Sequence, residues 1–219
     1  MLEDLKQQVV QTAKKADALG MCKHKSGNFS IFDPASGCVV LSPSGIAREV
    51  LCAQQVCVLD LDANVIEWDG AAKPSSEALM HLAIYRARPD ARAVVHTHAR
   101  YCTAFAVLNR PIPPIVYECS YLGRSATVPV APYGRPGTAD LAQKAAAVLQ
   151  NADCCLLQSH GAVALGENMG AAFLRACYLE EAAELYYLTL SAGGFQEPPA
   201  LPPEELKKWA YPAEIHFRT

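Results

Sequence analysis

The residues with the clearest chemical potential are three histidines at the ends of apolar segments. His96 and His98 stand one residue apart, directly after the apolar run at 93–95. In a β-strand, residues i and i+2 point to the same face, so both imidazoles would reach one metal ion. His160 also ends an apolar segment, and Gly161 follows it, which permits a close approach of the backbone. Three imidazoles with a fourth position left open are typical of a catalytic zinc site.

Other interpretations of the histidines stay open at this point. His96 and His98 could be polar side chains at a solvated strand end, but the fully apolar segment before them favours metal ligation. His81 follows Glu77 by four residues and could form a second ligand pair on one helix face. A histidine in the core, or in the shell behind the metal, is the favoured interpretation of His81.

Glu77 follows Ser75 and Ser76 at the predicted start of a helix. From its position at a helix N-terminus alone, Glu77 is interpreted as a capping residue that the helix dipole favours. The functional alternative is a general acid/base beside the metal, with a pKa raised when the carboxyl leaves the metal for a closed pocket. The two serine hydroxyls and the free backbone N–H groups of the helix start would suit a phosphate. Small turns at 26–28 and 44–45 are also of the kind that admits an anion.

The elements that must position these residues predict one α/β domain over residues 1–219. Apolar periodicity predicts helices at 2–19, 74–88, 99–108, 139–150 and 168–192. The predicted strands are two around the turn at 33–37, then 56–61, 65–68, 93–98, 154–158 and 163–165. The helix after Pro74 is expected to bury Leu79, Leu82, Ala83 and Ala87. Residues 195–219 are rich in proline and are expected to form a loosely packed arm.

Composition excludes several classes of protein. A formal net charge of −3 leaves no basic excess for a nucleic-acid partner. No apolar run approaches the roughly 18 residues that a membrane span requires, and the N-terminus lacks the apolar region of a signal peptide. The nine cysteines are scattered among apolar neighbours, so we expect buried thiols in a reducing cytoplasm rather than disulfides.

Five motifs in sequence order resemble the class II aldolase and adducin-type family, which contains sugar-phosphate aldolases and 4-epimerases. They cover nearly the whole chain, from about residue 5 to 195, and are Ser26-Gly27-Asn28, Ser42-Pro43-Ser44-Gly45, Pro74-Ser75-Ser76-Glu77, His96-Thr97-His98 and Gln158-Ser159-His160-Gly161. The resemblance implies a three-layer αβα fold with a central, mainly antiparallel sheet. It also implies a homotetramer with active sites at subunit interfaces.

The resemblance assigns a role to each motif. It implies one Zn²⁺ per subunit, held by His96, His98 and His160, and Glu77 as the acidic residue beside it. The residues that would hold the substrate phosphate are Asn28, Ser44, Gly45, Ser75 and Ser76. Tyr117 matches a tyrosine that reaches the active site of a neighbouring subunit. The implied reaction is cleavage of a ketose 1-phosphate, such as L-fuculose 1-phosphate, to dihydroxyacetone phosphate and a small aldehyde.

Other functions on the same scaffold are a 4-epimerase and a decarboxylase for a phosphorylated keto acid, whose carboxylate Arg124 could bind. A non-catalytic scaffold domain is the alternative from another class. Glu at position 77 favours an aldolase, since the epimerase tends to have Asp there. The chain departs from the family pattern at Lys25, which could face the phosphate or solvent, and in the loop after Tyr117. Tyr211 could replace the C-terminal tyrosine that closes over aldolase sites.

Overall fold

The computed structural model describes residues 2–207, and its centre is one eight-stranded sheet. The strands are β1 Asn28–Asp33, β2 Cys38–Leu41, β3 Cys57–Asp60, β4 Val65–Glu67, β5 Ala93–Thr97, β6 Val130–Ala131, β7 Cys154–Leu157 and β8 Gly161–Gly166. Their order across the sheet is β4-β3-β2-β1-β5-β8-β7-β6. Every neighbouring pair is antiparallel except β6 and β7. The expectation of a mainly antiparallel sheet is therefore confirmed.

Helices cover both faces of the sheet and complete the predicted three layers. They are α1 Glu3–Ala18, α2 Ala78–Ala87, α3 Arg100–Val107, α4 Ala139–Leu149, α5 Met169–Ala192 and α6 Pro203–Leu206. One core cluster joins the sheet to α1, α3 and α5, and the other joins it to α2 and α4. Within residues 2–207, no helix is both long and apolar enough to cross a membrane.

Strand β5 lies at the centre of the sheet and sends side chains into both cores. Val95 belongs to the core under α1, α3 and α5, whereas Val94 belongs to the core under α2 and α4. A strand covered on both faces is apolar at consecutive positions. The apolar run of β5 ends at His96, which is where the predicted metal ligands begin.

The buried face of α2 differs from the expected one. Leu82 is buried as predicted, but Leu79 is 38% exposed, and the other buried apolar residues are Met80, Ile84 and Tyr85. The difference arises because α2 packs against α4 as well as against the sheet. A helix covered on two sides does not show the single apolar stripe that the periodicity predicts.

The described part of the proline-rich arm contacts the rest of the domain at two points. The Leu201 N–H donates to the Pro114 carbonyl over 2.7 Å. Glu197 accepts a hydrogen bond from the Tyr186 hydroxyl at 2.7 Å and pairs with Arg110. None of residues 195–207 is buried, so loose packing of the arm stays a prediction. Residues 208–219, including Tyr211, lie outside the described residues.

All nine cysteines carry free thiols, as predicted. Seven are buried, Cys177 is half-buried and Cys52 is exposed. Burial raises the pKa of the Cys155 thiol to about 12, so this cysteine behaves as an apolar core residue. The expectation of burial is wrong for Cys52 and holds only in part for Cys177.

Candidate metal centre

Three histidines from two neighbouring strand ends meet in one cluster. His96 is in β5, His98 follows that strand, and His160 lies in the turn between β7 and β8. The ring centroids are 4.8 Å apart for His96–His98, 4.8 Å for His96–His160 and 4.9 Å for His98–His160. Antiparallel pairing of β5 with β8, in which Thr97 faces Ala162, sets this arrangement. The structure thus brings together all three predicted ligands.

The absence of a side chain at Gly161 allows the two strand ends to approach each other. A Cβ atom there would lie 2.3 Å from the Thr97 carbonyl oxygen. It would also lie 3.2 Å from His96 Cε1 and 3.3 Å from His98 Cδ2. Glycine at position 161 is therefore required for the close packing of the histidines.

The imidazoles present lone pairs to the centre of the cluster. His96 Nδ1 lies 2.9 Å from the Ala162 carbonyl oxygen, which only accepts, so Nδ1 donates and Nε2 is free to coordinate. The two Nε2 atoms of His96 and His98 are 3.0 Å apart. Burial, and then the charges of neighbouring histidines, lowers the pKa of His98 and of His160 to about 4. Both rings are therefore neutral at pH 7, which is the state that binds metal.

The Glu77 carboxylate faces the same cluster. Its Oε2 lies 3.1 Å from His96 Nε2, and its Oε1 lies 3.4 Å from His160 Nε2. The Asn28 side-chain N–H donates to Oε2 over 2.9 Å. Glu77 occupies the N-cap position of α2, yet its side chain makes no capping hydrogen bond. Glu77 therefore stands at the cap position, but its carboxylate contacts the histidines and not the helix N–H groups.

The protonation of Glu77 is set by competing effects. Burial raises the pKa of its carboxyl. Contact with His96, followed by the charge of His160 and the hydrogen bond from Asn28, outweighs burial and holds the pKa well below its ordinary value. In this arrangement Glu77 is a carboxylate. The raised pKa expected for a working acid would require that it give up these contacts.

The donor set fits a divalent metal ion. One ligand atom from each of Glu77, His96, His98 and His160 lies within 4.8 Å of the other three. Glu77 Oε1 and His160 Nδ1 are buried without a hydrogen-bond partner in the described chain. A buried polar atom without a partner is costly, and cation binding at the cluster would satisfy the carboxylate oxygen. Imidazole and carboxylate donors in this number suit zinc and related transition metals.

Replacing Gly161 with alanine is expected to weaken metal binding at least tenfold, because the new methyl group displaces the Thr97 carbonyl and both adjacent rings. Gly37→Ala is the control for a glycine replacement that meets no neighbouring atoms, since no atom lies within 4 Å of a Cβ at Gly37; its φ of 69° is left-handed, unlike that of Gly161. The control should lose about 1 kcal/mol of stability and keep its metal affinity. Competition with a chromogenic chelator measures the affinity, and equal affinity in both variants would contradict the role of Gly161.

A cavity of about 120 Å³ opens beside the cluster. It contains every residue predicted to hold a phosphate. The lining residues are Lys25, Ser26, Gly27, Asn28, Pro43, Ser44, Gly45, Ser75, Ser76, Glu77 and His98. Two of the metal donors, Glu77 and His98, therefore line the same cavity as the predicted anion-binding residues.

The backbone amides of two serines in this cavity are already bonded, so Ser44 and Ser75 can offer an anion only their hydroxyls. The Ser44 N–H donates to the Lys73 carbonyl over 2.9 Å, and the Ser75 N–H donates to the Ser42 carbonyl over 3.2 Å. The Glu77 N–H donates to Ser75 Oγ over 3.2 Å. This contact leaves the Ser75 hydroxyl proton available to an anion in the cavity.

Comparison with known proteins identifies the family. Residues 7–187 match the family described as the class II aldolase and adducin N-terminal domain. The chain belongs to this family.

Named relatives of this class II aldolase act on sugar phosphates. The chain is 38% identical over 210 residues to 5-deoxy-D-ribulose 1-phosphate aldolase of Bacillus thuringiensis serovar kurstaki, covering 96% of this chain and 95% of the relative. It is 37% identical over 187 residues to L-fuculose phosphate aldolase of Escherichia coli O6:H1, with 85% and 84% covered. A solved structure of L-fuculose 1-phosphate aldolase superposes with a TM-score of 0.86 at 35% identity, covering 93% of each chain. The chain is therefore an enzyme, a metal-dependent carbon–carbon lyase.

One wall of the class II aldolase cavity is the strained loop before β1. His24 and Lys25 have φ values of 55° and 68°, and Gly27 has 74°. Buried Arg48 lies behind this loop, where one of its Nη2 N–H groups donates to the Ser26 carbonyl over 2.9 Å and the other to the Gly27 carbonyl over 2.8 Å. Sequence reasoning missed Arg48, because an arginine in a polar connection carries no signal of burial. Lys25 lines the cavity, which favours the phosphate-facing interpretation of this lysine.

Arg48→Met is expected to lower the free energy of unfolding by about 1–3 kcal/mol, since two loop carbonyls lose their donors while the apolar stem is retained. Urea unfolding measures this change. Arg48→Lys is the matched control, because lysine keeps the charge and one donor group. It should lower the free energy of unfolding by less than Arg48→Met does. Equal stability of Arg48→Met and the unchanged chain would rule out the supporting role.

Tyr117 and Arg124, which were predicted to act on the substrate, lie away from the cavity. Tyr117 begins a 3-10 helix, is 39% exposed and is not among the cavity's lining residues. Arg124 pairs with Asp90 at 2.5 Å and with Asp153 at 3.6 Å. Asp90 precedes β5, whose opposite end carries the histidines. Arg124 therefore does not offer its guanidinium to a substrate in its own subunit, so it gives no support to a decarboxylase.

Proposed function

We propose that this enzyme is a zinc-dependent aldolase that cleaves a ketose 1-phosphate to dihydroxyacetone phosphate and a small aldehyde. The observation that carries the proposal is the Glu77 carboxylate, which lies between three imidazoles and a serine-lined cavity. L-Fuculose 1-phosphate or a 5-deoxypentulose 1-phosphate is the substrate class that we infer, since the relatives above are named for such sugars.

The metal assignment follows from the donor chemistry. His96, His98 and His160 would hold one Zn²⁺, because three imidazoles suit a catalytic zinc site with an open position. When bound, the ion supplies a Lewis acid that polarises the substrate carbonyl.

The serine-lined end of the cavity would hold the phosphate. The hydroxyls of Ser44, Ser75 and Ser76 and the backbone at Gly45 line this end, and Asn28 lies between it and the metal donors. Anchoring the phosphate there fixes the distance of the sugar's carbonyl carbon from Glu77. A substrate held at both ends reacts as though the step were intramolecular.

Two proton transfers complete the cleavage. The hydroxyl at C4 must lose its proton as the C3–C4 bond breaks, and C3 must then gain a proton to give dihydroxyacetone phosphate. We assign the C3 proton to Glu77, which lies at the junction of the metal donors and the cavity. We assign the C4 proton to Tyr117 of a neighbouring subunit, since Tyr117 is exposed and turned away from its own cavity.

Self-association is part of the proposal. Helix α5 exposes large apolar side chains that a neighbouring subunit would cover, at Leu174, Leu185, Tyr187 and Leu188. We propose a homotetramer in which each chain forms one domain over residues 1–219. Nine unpaired thiols favour a cytoplasmic location for this assembly.

The zinc-loaded enzyme, incubated with L-fuculose 1-phosphate, 5-deoxy-D-ribulose 1-phosphate and L-ribulose 5-phosphate, is expected to release dihydroxyacetone phosphate from a 1-phosphate. A coupled triose-phosphate assay measures this release. L-Ribulose 5-phosphate is the matched control, because its phosphate stands at the opposite end of the sugar. A new pentulose phosphate without triose release would identify a 4-epimerase instead, and carbon dioxide from a keto-acid phosphate would identify a decarboxylase.

A further inference from the structure

A row of buried polar side chains lies behind Glu77. It runs from Tyr85 through Ser30 and His81 to Asn28, and these residues are 3%, 0%, 0% and 6% exposed, respectively. In such surroundings a hydrogen bond is strong and an unpaired polar atom is costly. Each contact in the row can therefore be assigned a direction.

The end at Glu77 sets the orientation of the Asn28 amide. A carboxylate only accepts hydrogen bonds, so the atom of Asn28 that lies 2.9 Å from Glu77 Oε2 is the Nδ2 donor. The Asn28 Oδ1 atom then faces His81 Nε2 at 2.5 Å. An amide oxygen only accepts, so His81 Nε2 carries the proton.

The remaining contacts follow from this tautomer. Burial, and then the charge of His96, lowers the pKa of His81 to about 3, so the ring is neutral and its Nδ1 has no proton. The Ser30 hydroxyl, 2.6 Å from Nδ1, must therefore donate to it. Ser30 Oγ then accepts from the Tyr85 hydroxyl at 2.7 Å. Every donor along the row points towards Glu77.

The opposite orientation would be repulsive at both ends. If the Asn28 amide were flipped, its oxygen would lie about where Nδ2 now lies, against the Glu77 carboxylate. Its nitrogen would then face the protonated Nε2 of His81. The Nε2–H tautomer of His81 thus favours the same orientation of the Asn28 amide that the Glu77 carboxylate favours.

We propose that His81 is a positioning residue, whose Nε2–H tautomer, set by Ser30 and Tyr85, orients the Asn28 amide towards Glu77 and the cavity. One N–H of Nδ2 binds the carboxylate, and the second is available to a substrate, since Asn28 lines the cavity. The inference rests on the proposed function, in which Glu77 is the acid/base.

The test compares His81→Met, which cannot donate, with His81→Gln, whose amide can donate to Asn28 and accept from Ser30. We expect His81→Met to lower kcat about 10- to 100-fold, in the range typical of groups behind a metal site, at unchanged zinc content. His81→Gln should recover most of kcat. Equal kcat in the unchanged enzyme and His81→Met, or a loss in His81→Met that His81→Gln does not recover, would overturn the proposal.

The ¹⁵N NMR signals of His81 provide a test that needs neither substrate nor a variant at this position. In the zinc-loaded enzyme we expect a protonated Nε2 and an unprotonated Nδ1, and in Ser30→Ala a mixture of tautomers. A protonated Nδ1 in the unchanged enzyme would refute the assigned direction. Because this measurement is independent of turnover, it separates failure of the inference from failure of the proposed aldolase activity.

Discussion

Replacing His98 with alanine is expected to remove the metal and reduce cleavage to the level of chelator-treated enzyme. His98 provides one of three imidazoles, and its Nε2 lies 3.0 Å from that of His96. Two imidazoles and a carboxylate remain in the variant, and none of the other described groups in the cluster can replace the lost donor. The loss of affinity should exceed the roughly 10- to 100-fold that follows mutation of a group behind the ligands.

Zinc content after dialysis, measured by elemental analysis, checks this expectation together with the aldol assay. His24→Asn is the matched control, since His24 is exposed, does not line the cavity, and has a left-handed backbone that asparagine tolerates. The control should retain one zinc per subunit. Zinc added after chelation should restore the cleavage activity of the unchanged enzyme but not that of His98→Ala. A variant at His98 that keeps stoichiometric zinc would refute the ligand set.

The parts of the site that were predicted from sequence are those encoded by local rules. The alternation of side chains along a strand predicted that His96 and His98 share a face, and their Nε2 atoms are 3.0 Å apart. Glycine after His160 indicated a close backbone approach, and a Cβ there would overlap the Thr97 carbonyl. The resemblance to the family then connected these local features into one centre with Glu77.

The parts that were missed depend on contacts between distant segments. Asn28 and Glu77 are 49 residues apart, and the network behind them forms because the start of α2 contacts the start of β1. No periodicity in either segment indicates that Asn28 would bind a carboxylate and a histidine. Arg48 was missed for the same reason, since its acceptors are carbonyls of a loop more than 20 residues earlier. The role of Tyr117 depends on a second copy of the chain and stays a prediction.

Replacing Glu77 with glutamine is expected to leave the zinc in place and lower kcat by about 10²–10⁴, the usual contribution of a positioned acid/base. Glutamine has nearly the same shape, and its amide oxygen can still accept the hydrogen bond from Asn28. It cannot take up a proton or carry negative charge. The three imidazoles are unchanged, so the metal should remain. Zinc analysis and steady-state kinetics on the same sample measure both effects.

The conservative control is Glu77→Asp, which keeps the carboxylate but withdraws it by one methylene from His96 and His160. The kcat of Glu77→Asp should lie between that of the unchanged enzyme and that of Glu77→Gln. Loss of zinc in Glu77→Gln would make Glu77 a required ligand rather than an acid/base. If Glu77→Gln kept more than about a tenth of kcat, a proton-transfer role would be excluded, since a loss of less than tenfold is smaller than the usual contribution of such a group.

A partial reaction separates the two proton transfers. Dihydroxyacetone phosphate incubated with the zinc-loaded enzyme in deuterium oxide should exchange one hydrogen at the carbon that was C3 of the sugar, because Glu77 removes and returns that proton. Glu77→Gln should lose this exchange together with cleavage. Tyr117→Phe should lose cleavage and keep the exchange, since the C4 oxygen is absent from this substrate. Exchange that persists in Glu77→Gln would assign the C3 proton to another group, whatever the effect of that variant on overall turnover.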